Sequence, residues 1–143
     1  MKARAHQIGA VFYMLWGVLH VVTGASLLVT GYSSGAADQM RAYGSAAAGT
    51  IPETLPVLVA SIGGFHAWNL LWIGALVTIV AIVFNWRNRK EGVWLNGILA
   101  GAASIGLIAF LLAPGYMPWT EGAAGIALFV PALLLTVYAA SPE

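Results

Sequence analysis

Four long runs without an internal charge constrain this chain more than any other feature. They cover about 8–30, 56–84, 94–112 and 121–140. None has Lys, Arg, Asp or Glu in its interior, and Glu121 sits at an end. Each is long enough to cross a hydrocarbon core of roughly 30 Å. Composition agrees: 60% of the 143 residues are apolar and 8% are charged, with a mean hydropathy of +0.85. Soluble domains run nearer half apolar and a quarter charged, so a water-facing surface cannot be built from this chain. In lipid, a helix satisfies its own backbone polar groups. The runs do not alternate, as the strands of a membrane barrel must. The expected fold is therefore an all-α integral membrane protein. We expect a single transmembrane domain over 1–143, an antiparallel four-helix bundle with an outer connection over 31–55.

Orientation follows from Lys and Arg. Lys2, Arg4, Arg87, Arg89 and Lys90 fall on one face and Arg41 alone on the other. By the positive-inside rule both termini are expected in the cytoplasm of a bacterial-type inner membrane. Trp86 and Trp94 bracket the basic turn as interfacial residues, and Trp119 marks the other face. Met-Lys-Ala-Arg before an apolar run resembles a secretory signal. At about 23 residues, however, the run exceeds an h-region and reads as a retained span.

The connections carry local signals. Ser34 is placed to cap a short helix over Ala36–Tyr43, ended by Gly44. Residues 45–49 read as a small-residue linker. Thr50-Ile51-Pro52-Glu53 has the form of a capping box, which predicts a second helix beginning near Ile51. Thr120 is placed to cap the fourth helix, and Pro131 to kink it.

The chain has no cysteine and a net charge of +1. That excludes thiolate chemistry and gives no basic excess for nucleic acid. No phosphate loop, dinucleotide fingerprint, His-Glu-x-x-His motif or nucleophile elbow occurs. The strongest constellation is His20 with His66. Each lies ten residues from the outer end of its run, which puts both about 15 Å below the outer boundary, at one depth near the midplane. Ionisable side chains at that depth point to function by default, and neutral imidazole ligates haem iron or copper. His20 and His66 are thus candidate ligands for haem b or copper, or members of a proton or substrate pathway. The plainer reading is interhelical hydrogen bonding. Haem also requires splayed or diagonal helices, because neighbours pack 8–10 Å apart. Asn69, one turn after His66, is a candidate orienter of that ring. Tyr13, Trp16, His20 and Gly24 form one helical stripe, and Trp72 completes the candidate ligand-binding set.

Gly97-x-x-x-Gly101 matches a helix-contact motif, used within the protomer or in a homo-oligomer. Three functional readings follow. The first is a non-enzymatic accessory subunit or apolar-ligand-binding protein, with the bilayer and a larger membrane complex as partners. The second is a haem or metal redox protein, and the third a small oligomeric transporter or channel.

Overall fold

The computed structural model describes residues 2–44 and 49–141, and among these the regular secondary structure is all helical, without strands. Five helices follow in order: α1 (Lys2–Ser33), α2 (Ala36–Tyr43), α3 (Val57–Val83), α4 (Lys90–Leu107) and α5 (Trp119–Ala140). A 3₁₀ turn at Asn85–Arg87 joins α3 to α4, and a π segment at Ile108–Leu112 extends α4. Four segments are long and apolar enough to cross a membrane: Arg4–Ser33, Val57–Arg87, Lys90–Leu112 and Trp119–Ala140. The four apolar runs therefore become four long helices, and α2 sits in the long connection between the first two.

Helices in lipid gain little from the hydrophobic effect on meeting each other, so close packing decides how they associate. Glycine provides it here. A Cβ on Gly17 would stand 2.5 Å from the Gly74 carbonyl oxygen, and one on Gly74 would stand 2.5 Å from the Gly17 carbonyl oxygen. Seven residues on, a Cβ on Gly24 would meet the Ala67 carbonyl at 2.6 Å. These contacts lock α1 to α3 at the backbone. On its other flank α1 meets α5, where Gly9 lies against Thr136. Tyr13 and Trp16 fill the space between these contacts and are fully buried, with Val77, Ala81, Ala100 and Ala132 around them.

The α4 helix joins the bundle through α3 and α5. Asn96 Nδ2 donates to Asn85 Oδ1 at 2.8 Å and to the Val77 carbonyl at 3.2 Å. Gly101 lies against the Phe129 ring, and Gly97 against Leu133. The Gly97–Gly101 ridge thus faces α5 in the protomer. Asn88 ends the α3–α4 turn in the left-handed region, at φ 53°, which Asn tolerates better than most residues.

Several local expectations need correction. The α2 span is as expected, but its N-cap is Gly35 at φ 93°, without a side-chain cap; the Ser34 hydroxyl instead lies 3.4 Å from that of Ser33. The third helix begins at Val57, not near Ile51, with Pro56 as its N-cap. A proline disfavours helical geometry in the residue before it, so Pro52 and Pro56 together hold residues 51–55 out of a helix. The last helix begins at Trp119 after Pro118, so Thr120 lies inside its first turn. Pro131 lies inside that helix, as expected. The linker expected over 45–49 lies mostly outside the described residues, as does the Lys2 side chain.

If backbone contact at Gly17 and Gly74 sets the bundle, Gly74→Val should destabilise it by about 1–3 kcal/mol, the usual cost of overpacking. Gly64→Ala, on the same helix with nothing within 4 Å, should be neutral or gain up to about 1 kcal/mol. Thermal unfolding of the two variants in bicelles, followed by circular dichroism, checks both.

Candidate functional site

His20 projects from the stripe that α1 turns into the bundle. Its Nδ1–H donates to the Trp16 carbonyl at 2.8 Å, one turn earlier. That bond fixes the neutral tautomer and leaves Nε2 as the acceptor or ligating pole. The imidazole also stacks on the Trp16 indole, with centroids 3.6 Å apart and planes 20° apart. Trp16 is fully buried, and its Nε1 has no hydrogen-bond partner among the described residues. Both rings face Gly125 of α5. A Cβ there would lie 3.3 Å from His20 Cε1 and 3.7 Å from Trp16 Nε1, so glycine keeps this corner open.

His66 enters from α3. Its ring meets the Tyr43 ring of α2, with centroids 5.3 Å apart and planes tilted by 52°. Tyr43 Oη donates to the Gly63 carbonyl at 2.7 Å. The short helix carrying Tyr43 is pinned by Gln39, which is buried and whose Nε2 donates to the Leu27 carbonyl at 2.9 Å. Gly31 and Gly63 leave the space that this amide fills. The helix ends at Gly44, tight against the Tyr116 carbonyl. It therefore bridges α1, α3 and the 113–118 turn.

Beneath α2 lies a cavity of about 160 Å³. His20 and His66 both line it, with Tyr43, Thr23 and Glu121 as further polar neighbours. Leu19, Leu27, Leu70, Leu107 and Leu111 belong to its apolar wall. His66 is exposed and His20 only partly so, so the cavity reaches the surface beside His66.

The structure thus brings His20 and His66 to one cavity, but from different levels. The His20 Cβ lies against Gly74, eight residues beyond His66 and about 12 Å along the α3 axis. The single depth expected from hydropathy is corrected, because glycine contacts rather than the ends of the apolar runs set the register. Tyr13 is buried in the core and packs against Phe129 with centroids 6.4 Å apart. Asn69 does not orient His66. Its Oδ1 accepts the Trp72 indole N–H at 2.8 Å, a donor that needs a partner in apolar surroundings. Neither Asn69 nor Trp72 lines the cavity.

Haem b does not fit this geometry. Pockets that enclose ligands of drug size run to 300–1,000 Å³, well above this cavity, and the two rings are staggered. Among the described residues no three His, Cys, Asp or Glu side chains gather as a metal site. What the arrangement offers is the His20 imidazole acceptor in a leucine-walled space, with the buried Trp16 indole stacked behind that ring and not itself lining the cavity.

Comparison with known proteins gives no family: no family model, curated protein or solved structure matches the chain.

Burial pushes the Tyr43 hydroxyl from 10.0 up to about 12, outweighing its bond to the α3 backbone. The proton is held more tightly in the folded state than in the unfolded one. Stability from this group is therefore intact below pH 10.0 and is lost as pH rises towards about 12. Wild type should lose more stability than Tyr43→Phe across that window, as measured by chemical denaturation in bicelles at stepped pH.

Proposed function

We propose that this is a small multi-pass membrane protein of bacterial inner-membrane type that binds a small, largely apolar molecule without chemical turnover. Its four long helices run antiparallel, with both termini cytoplasmic. Basic residues support that orientation: Arg87, Arg89 and Lys90 share one end with Lys2 and Arg4. The α1–α3 contacts support the antiparallel order, since Gly17 meets Gly74 while Gly24 meets Ala67.

The observation that carries the ligand reading is the cavity beneath α2. Binding sites are mostly apolar with a few placed polar groups, and His20, Tyr43 and His66 among leucines match that description. A dry cavity of roughly 150 Å³ accepts benzene, so about 160 Å³ suits a single ring. The free His20 Nε2 favours a ring bearing a hydroxyl. The α2 helix acts as a cover, and His66 stands where the cavity meets the surface.

The test uses 4-fluorophenol and fluorobenzene as probes, followed by ¹⁹F NMR in nanodiscs with and without protein. A protein-bound signal is expected for both, stronger for the phenol. His20→Leu should weaken the phenol about threefold to tenfold, the worth of one net hydrogen bond. Leu111→Trp should fill the cavity and remove both signals, while Trp72→Leu should leave them. Spectra identical to those of empty nanodiscs would overturn the reading.

A further inference from the structure

A second, larger hollow lies away from the histidines. It is a groove of about 590 Å³ between α4 and α5. Val93, Trp94, Gly97, Ile98, Leu133 and Val137 form its apolar length, with Lys90 and Ser141 at one end. Gly97 lies at ordinary contact distance, 3.4 Å, from Leu133 for an added Cβ, so the groove floor there is backbone. The walls face outward: Trp94 is 71% exposed and Ile98 63%.

The polarity of this groove runs along its length. Its apolar part spans about one to one and a half helical turns, from Val93 to Ile98 on one wall and from Leu133 to Val137 on the other. At its end stands Lys90, preceded by Arg87 and Arg89. All three are exposed, and among the described residues none is in an ion pair. Glu91 follows Lys90 but does not line the groove. The basic cluster holds three of the chain's six Lys and Arg residues. Trp94, one turn deeper, is the amphipathic ring that favours a membrane interface. An apolar channel ending at the Lys90 ammonium is complementary to an amphiphile with an anionic head. A second copy of this chain would have to bring an acidic patch to the same level.

We propose that the α4–α5 groove binds one anionic phospholipid, with an acyl chain along Gly97 and the phosphate at Lys90. The site is separate from the histidine cavity and does not depend on it. An ammonium at the membrane surface attracts anionic lipid without sequence specificity; the groove adds a fixed seat for the chain, which distinguishes this site from a merely basic surface.

Native mass spectrometry of the purified protein, titrated with dioleoyl phosphatidylglycerol or dioleoyl phosphatidylcholine, tests this. The two lipids share tails and differ in head charge. Retention of one phosphatidylglycerol is expected at least about fivefold above phosphatidylcholine, and Lys90→Gln should remove most of that preference. Gly97→Leu should fill the groove and remove retention of both lipids. Val137→Trp does so from the other wall, in case the first variant fails to fold. Trp72→Leu, outside the groove, should change nothing. Equal retention of the two lipids would overturn the anionic assignment. Phosphatidylglycerol retained by folded Gly97→Leu and Val137→Trp would overturn the groove. A dimer that excludes lipid would show that the groove is covered by a second copy.

Discussion

The close approach of α1 to α3 is the contact on which the rest of this structure depends. Two backbones meet at Gly17 and Gly74 with no room for a Cβ on either. In a bilayer this approach replaces the hydrophobic drive that assembles soluble bundles. It also sets the register. With Gly17 at Gly74 and Gly24 at Ala67, His20 falls two turns along from His66 rather than beside it. The opposite flank of α1 then meets α5, and Gly125 leaves a gap beside the stacked His20 and Trp16 rings. The cavity results from that registry and from the cover that α2 provides.

Polar side chains take three different places in this arrangement. Asn85 and Asn96 are buried and pair with each other at the end of the bundle marked by Arg87 and Arg89. Gln39 is buried at the other end and ties α2 to the α1 backbone. Between them, His20 spends one nitrogen on the Trp16 carbonyl and keeps the other open. An unpaired polar atom in an apolar setting costs free energy, and the buried indole N–H of Trp16 bears that cost, while the second nitrogen of His20 belongs to a ring that lines the cavity.

Much of the fold was legible in the sequence, because uncharged length is a direct statement about solvent. The four spans, the short helix over 36–43 and the interior stripe of Tyr13, Trp16 and Gly24 all follow from periodicity and run length. Helix starts were less legible. Thr50 and Glu53 have the letters of a capping box, yet Pro56 fixes the start of α3. His20 and His66 were visible as isolated ionisable residues. Their register was not, since glycine contacts between helices leave no signature in either run alone. Tyr43 was hidden for a different reason: it lies on a short amphipathic helix, and only the fold shows that helix returning over the bundle. The pairing of Asn69 with Trp72 was readable at i, i+3, but the nearby His66 offered a competing partner.

The register of α1 on α3 is most directly measured by carbon–carbon correlation in bilayers, using solid-state NMR on protein labelled at glycine and alanine Cα. Short mixing should give a Gly17–Gly74 cross-peak and a Gly24–Ala67 cross-peak together. Absence of both, or a pairing of Gly17 with residues near His66, would contradict the register and the shared cavity with it.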